Sequence, residues 1–369
     1  LQLRLRSHLI VRWRGERWVR GRIYEAANHA DYLEMMGSGY FAPAEAAASW
    51  SPAEIAAALA TRLEIVAVRN AGLGDTLIAL PYVQEFARTN PRVDVSYAVH
   101  PAYVELISEQ PGLHAVYDVC GGRPFPREID LCHYAERHRG SRSRPRDLLF
   151  GEAFGINRRV LPGLLNLRAL WGSPARAALK EAGHTPGQPI AALTARGTCN
   201  RRSYAEPLVR EVAEHLAAAG VFVALTDLDA DARTQSSANS VSAGFRDRLT
   251  VAQLAGLLSL ADIVIGPDTG VLHLGAHLGK PLVGIFTDWP ARLRLAPYNA
   301  FAFQPRDLPC FPCHDRGCPP LTCTTTAEPR EVAAAAIACL APKWRLRAPE
   351  GGEGFRNHVA IFGAPLTRG

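Results

Sequence analysis

Two doubly wound α/β domains with a small N-terminal β-rich extension are the fold the sequence predicts, on three observations. First, Ile263-Val264-Ile265 is a short apolar β-branched run that breaks at Gly266-Pro267-Asp268 and re-enters an apolar helix through Ala276. Such a run reads as a strand buried on both faces. Second, Glu64 to Arg69 is a strand followed by the glycine-rich turn Asn70-Ala71-Gly72-Leu73-Gly74-Asp75 and an apolar-faced helix to Arg88. Third, strand-like and helix-like stretches alternate after both turns. One such turn in each half predicts two domains facing each other across a cleft.

Residues 1–60 read differently. Leu1, Leu3 and Leu5 alternate with polar residues, and Ile10 to Trp13 and Trp18 to Arg20 flank a turn at Arg14-Gly15-Glu16. A small antiparallel sheet is predicted there, with one or two Ala-rich helices between Pro43 and Ala60. Met36-Gly37-Ser38-Gly39 follows no buried strand and reads as a loop. The first α/β domain takes residues 61–170. Its further strands are predicted at 93–99, 115–119 and 129–132, with helices at 102–109 and 147–154. Arg137 to Arg146, basic and rich in breakers, reads as a mobile surface loop. The stretch 161–174 is read as the interdomain region. The second domain, 171–342, is predicted to run through a strand at 189–194, a polar turn at 195–203, a helix at 206–219 and a strand at 221–225. A helix at 251–260, the Ile263 strand and its helix, strands at 282–286 and 301–303, and a helix at 328–340 complete it. Residues 343–369 read as a tail with little structural signal.

Composition places the chain among soluble globular proteins: 369 residues, 48% hydrophobic and 21% charged. No apolar run approaches the roughly 20 residues of a membrane helix. The chain begins with Leu1 rather than Met, and nothing in it resembles a signal peptide. Its formal charge is +6, and seven arginines lie between Arg4 and Arg22. They read as the solvated face of strands, with at most peripheral membrane contact and no nucleic-acid partner. Four of the eight cysteines stand as Cys310, Cys313, Cys318 and Cys323, the rest being scattered. That split predicts a reduced, cytoplasmic protein with one local thiol site.

A strand, a tight turn and a helix present free backbone N–H groups and a favourable dipole to a bound phosphate. The Asp268-Thr269-Gly270 turn is therefore a candidate anion site, with Asp268 or Thr269 as N-cap; an ordinary capped βα turn is the alternative. Gly72 and Gly74 allow close approach of a ligand, but Leu77 stands where a dinucleotide fingerprint wants a third glycine. Asp75, in the first helical turn, is placed to accept a proton or a hydroxyl hydrogen bond, or else to serve as a helix cap. His273 lies one turn beyond Thr269 and is either near the ligand or a packed helix histidine. The spacing C-x2-C-x4-C-x4-C suits one structural Zn2+ or Fe held by Cys310, Cys313, Cys318 and Cys323, with His314 spare; four free thiols are the alternative.

The run Arg69 to Leu77, with Leu80-Pro81 behind it, resembles the first signature of the ADP-heptose:lipopolysaccharide heptosyltransferases, glycosyltransferase family 9. Asp268 to Leu274 resembles their second, and the cysteine segment resembles one found in many members. The similarity covers roughly residues 63–340. It implies a GT-B fold and an inverting transfer from an ADP-sugar, most simply a heptose, to a hydroxyl acceptor, without catalytic metal. By resemblance Asp75 is the base that deprotonates the acceptor. Asp268, Thr269, Gly270 and His273 hold the donor with Thr194, and Arg202 (or Arg201) replaces a phosphate-binding lysine. Asp227 or Asp229 stands nearest to a ribose-binding acid. The family's Phe-Gly-x-Thr reads Phe286-Thr287-Asp288-Trp289 here. The acceptor is lipopolysaccharide core sugar or a protein hydroxyl; autotransporter-modifying relatives with an added N-terminal element and a cysteine-bound metal lean the choice toward protein. A homo-oligomer is compatible with the sequence, and a non-catalytic binding or assembly protein of the same fold is the alternative class.

Overall fold

A computed structural model of the chain describes residues 2–5, 10–13, 16–19, 23–25, 41–43, 63–70, 72–121, 125, 127–132, 134–197, 199–228, 242–245, 247–295, 298, 300–305, 308–313, 322–341 and 358–361. The helices predicted between 43 and 60, and the loop at 36–39, lie outside these residues. The chain forms two units: residues 1–72 with 78–160, and 73–77 with 161–369.

The first unit carries β1 (Gln2–Leu5), β2 (Ile10–Trp13), β3 (Glu16–Val19), β4 (Ile23–Glu25), β5 (Phe41–Pro43), β6 (Leu63–Arg69), β7 (Val93–Val99), β8 (Val116–Asp118) and β9 (Arg127–Asp130). Strands β9, β6, β7 and β8 are parallel in that order. Ile65 to Val68 are buried in the centre, as expected of a strand covered on both faces. The N-terminal strands divide. β4, β1 and β5 make the small antiparallel sheet, whereas the β2–β3 hairpin extends the parallel sheet, pairing antiparallel with β9. Residues 1–60 are thus not wholly separate from the α/β sheet. The stretch read as a mobile loop is tied down: Arg144 pairs with Glu152 at 2.5 Å. Arg146 is buried, shares Glu136 with the equally buried Arg69, and both guanidiniums lie over the Phe150 ring.

The second unit holds β10 (Ile190–Leu193), β11 (Phe222–Leu225), β12 (Ser242–Gly244), β13 (Ile263–Pro267), β14 (Leu282–Ile285), β15 (Ala300–Phe303) and β16 (His358–Ile361). The order β12-β11-β10-β13-β14-β15 is parallel throughout. This is the doubly wound dinucleotide-fold order, whose strand order reverses between β10 and β13. Ile263, Ile265, Val283, Ile285, Val223 and Leu225 pack against the helices Glu206–Ala218 and Pro329–Leu340 to form its core. Two strands were not foreseen. β12 has too little apolar pattern to announce itself. β16, in the supposed tail, pairs antiparallel with β15. The helix Ser173–Glu181 was also missed, since the Pro- and Gly-rich residues before it drew the reading toward a linker.

Candidate donor and catalytic site

The candidate site lies at the carboxyl ends of β10, β13 and β14, the side where open α/β sheets bind ligands at the strand-order reversal. Thr194 leaves β10 and is 1% exposed. Gly266 of β13 stands so close that a Cβ there would collide with the Thr194 side chain and meet its carbonyl oxygen at 3.0 Å. The glycine therefore lets the two strand ends approach. The helix Gly270–His277 follows, with Thr269 at its N-cap making no side-chain capping bond. Asp268 does not cap it either, being taken up by cations.

Asp268 is the hub. Its carboxylate accepts from the Arg202 guanidinium, lies 3.2 Å from His273 Nε2 and 3.4 Å from Arg294 Nε. Burial alone would raise its pKa, but Arg202, then Arg294 and His273, overcome this and hold it below the ordinary carboxylate range. Arg202 sits in the short turn Asn200–Arg202. It also lies 3.4 Å from Asp288, as does Arg201. Burial opposes the Arg202 charge, yet Asp268 and Asp288 push its pKa up. Asp288 goes the other way: its desolvation outweighs the arginines, and its pKa is raised.

Asp75 comes to the same place. It lies in the first turn of the helix Leu73–Thr89, and residues 73–77 pack with the second unit. Two glycines permit this. A Cβ on Gly270 would stand 2.7 Å from Leu73 Cβ, and one on Gly74 would stand 2.7 Å from His273 Cδ2. Both distances are shorter than packed carbons tolerate, so each turn fits the other only where a side chain is missing. Asp75 Oδ1 is 3.6 Å from Arg294 Nη1. Gly72 is exposed and has open space where a Cβ would stand. His277, one turn beyond His273, is buried and pairs with Tyr298 Oη at 2.8 Å. Burial, then His273, pushes its pKa down to about 3.

Of the residues singled out by sequence, Asp75, Thr194, Arg202, Asp268, Thr269, Gly270, Gly74 and His273 are thus brought together. Arg294, Asp288 and Trp289 were missed as members. A signal existed: Arg294 stands between two leucines, both buried, and a cation in an apolar run needs a partner. Asp227 holds backbone. Its carboxylate accepts the backbone N–H groups of Ala195 at 3.0 Å and Arg196 at 2.6 Å, tying down the turn after β10. Asp229 lies outside the described residues.

Among the described residues, some buried oxygens and nitrogens of the site find no hydrogen-bond partner: Thr194 Oγ1, Thr269 Oγ1 and His273 Nδ1. Buried polar atoms normally find partners, and hydroxyls beside a helix N-terminus and two arginines suit an anionic ligand. The cysteine segment is less complete. Cys310 is exposed, while Cys313 and Cys323 are buried. Among the described residues no three ligating side chains converge on a metal position; Cys318 and His314 lie outside them. The backbone N–H of Cys313 donates to the Asp288 carbonyl at 2.9 Å.

Residues 161–323 match glycosyltransferase family 9 (heptosyltransferase). Among solved structures the chain is similar to the iron-containing dodecameric glycosyltransferase TibC from enterotoxigenic E. coli H10407, at 16% identity over 76% of each chain and a TM-score of 0.57. TibC in complex with ADP-D-beta-D-heptose gives 16% identity, the same coverage and a TM-score of 0.55. E. coli ADP-heptose lps heptosyltransferase II gives 12% identity over 75% of this chain and 98% of that one, at a TM-score of 0.50. At these identities the likeness is one of fold. No curated protein sequence matches the chain. Among the described residues no helix is long and apolar enough to cross a membrane. Residues 161–323 therefore match glycosyltransferase family 9, in a chain that has the α/β fold of solved heptosyltransferases.

Proposed function

We propose that this glycosyltransferase moves a heptose from ADP-heptose to a hydroxyl acceptor with inversion, in the cytoplasm. The observation that carries the reading is the convergence of Asp75 on the donor turn of Asp268, Thr269 and Gly270, with Arg202 and Arg294 beside it. The donor diphosphate lies at the start of the helix Gly270–His277, against Thr194 and Thr269. The acceptor oxygen attacks the anomeric carbon as the bond from that carbon to the phosphate oxygen breaks. ADP leaves with the electron pair, and the hydroxyl proton passes to Asp75. Arginine charge offsets the charge growing on the diphosphate, where electrostatic catalysis contributes most. A protein hydroxyl is the acceptor favoured by the added N-terminal strands and the cysteine segment. Intact-mass analysis of candidate acceptor proteins and lipopolysaccharide core oligosaccharide, each incubated with ADP-heptose and enzyme, tests this. A heptose-sized mass gain with stoichiometric ADP release is expected; ADP release without acceptor gain, or no turnover at all, refutes transfer.

Arg202 tests the donor site through charge. Arg202→Ala removes a charge-assisted contact worth roughly 1.5–3 kcal/mol, so ADP affinity in calorimetric titration is expected to fall about ten- to a hundredfold. Arg202→Lys should recover part of it, because the charge returns without the fork. Equal ADP affinity in wild type and Arg202→Ala would move the diphosphate elsewhere.

The metal is proposed from spacing alone. One Zn or Fe per chain, held by Cys310, Cys313, Cys318 and Cys323, is expected in elemental analysis of purified protein. Any single Cys→Ser change should then release it and lower the melting temperature. Metal-free protein of undiminished stability would leave the segment as a loop of free thiols.

A further inference from the structure

Arg294 ends the short helix Ala291–Arg294 and is 8% exposed. It touches both aspartates of the site, with Nη1 3.6 Å from Asp75 Oδ1 and Nε 3.4 Å from Asp268 Oδ2. Its guanidinium carbon lies 4.9 Å from the Trp289 ring centroid, within cation–π reach. Neutralising Asp268 does not explain this arrangement, since Arg202 and His273 already face that carboxylate. What Arg294 adds is one cation paired with a carboxylate on one turn and a carboxylate on the other.

We propose that Arg294 is a positioning residue that braces Asp75 against the donor turn, setting the distance between the acceptor's base and the bound sugar. The proposal rests on the reading of Asp75 as base. A displacement of about 1 Å in such a group is enough to cost on the order of a hundredfold in rate. Arg292, two residues away and exposed, carries the same charge without these contacts and serves as the control.

The test is a cycle of Asp75→Asn, Arg294→Ala and the double variant, with Arg294→Lys and Arg292→Ala beside it. Transfer kinetics, ADP titration and thermal melting are followed for each. Arg294→Ala is expected to lower kcat about ten- to a hundredfold, with a much smaller change in KM. Arg294→Lys should recover part of kcat, and Arg292→Ala should match wild type. In the Asp75→Asn background the Arg294 change should lower residual transfer by less than about threefold, and the two losses in melting temperature should fall short of additivity. Wild-type kcat in Arg294→Ala, or full additivity in melting, overturns the brace. Should Arg294→Ala fail to fold, Arg294→Lys and Trp289→Leu carry the same cycle. Coupled melting in a protein that transfers no sugar would refute the proposed function and leave the brace standing. Additive melting in an active enzyme would do the reverse.

Discussion

Asp75→Asn is expected to lower sugar transfer by about 10²- to 10⁴-fold, the usual contribution of a positioned general base, while ADP affinity changes by less than about twofold. The reason is placement. The Asp75 carboxylate faces Arg294 at 3.6 Å, and its isosteric amide analogue leaves the proposed diphosphate contacts at Thr194 and Thr269 in place. Asparagine nearly preserves the shape and accepts a hydrogen bond, but it takes no proton from an attacking hydroxyl. If Asp75 were only a partner for a buried arginine, the substitution would weaken folding and ADP binding together and leave kcat near wild type. Steady-state transfer with ADP calorimetry on the same sample separates the two.

Asp268→Ala should act on the fold itself. Asp268 is buried and faces two arginines and a histidine; removing it leaves cations with fewer partners in a poorly solvated place. Breaking a buried ion pair from one side costs about 3–5 kcal/mol. The lower end applies here, because Asp288 still faces Arg202 and Asp75 still faces Arg294. The second unit's melting temperature is expected to fall by about 6–12 °C. The pH dependence gives a second check. The folded pKa of Asp268 is depressed, so the folded state binds fewer protons than the unfolded state near the unfolded pKa of about 3.9. Its stabilisation is therefore present above that pH and lost as pH falls below it. Wild type should lose melting temperature steeply on acidification through that range and Asp268→Ala less so. Parallel acid titrations of the two proteins would show that the hub carries no such linkage.

Much of the fold was legible because the parallel strands announce themselves. Ile263 to Ile265 and Glu64 to Arg69 are β-branched runs buried on both faces, each followed by a glycine turn and a periodic helix. The turns that carry the site were legible for the same reason, since phosphate chemistry and close backbone approach both demand glycine at a helix start. What was lost depended on pairing at a distance. The β2–β3 hairpin reads as a free-standing ribbon until β9, more than a hundred residues on, is seen beside it. β16 carries only four residues and gains its meaning from β15. The same holds within the site. The resemblance suggests Asp227 or Asp229 for the ribose, but only the fold shows that Asp227 also ties down the backbone of Ala195 and Arg196. Arg294 belongs to no motif, and Asp288 stands in a motif that departs from the family's, so each shows its role only through the charge that faces it.

The hydrogen bond from the Cys313 N–H to the Asp288 carbonyl joins the thiol segment to the residue that faces Arg201 and Arg202. Two sites joined in this way exchange free energy in both directions: whatever factor one event changes in the other's equilibrium is returned unaltered. If displacing the segment weakens nucleotide binding, then bound nucleotide must resist its displacement by the same factor. Cys313 is buried and reacts only when the segment opens. Its rate of alkylation at rising ADP concentration is thus a measure of the proposed donor site taken from outside it. With alkylation slow relative to reclosing, saturating ADP should slow labelling of Cys313 by the same ratio by which a displaced segment weakens ADP.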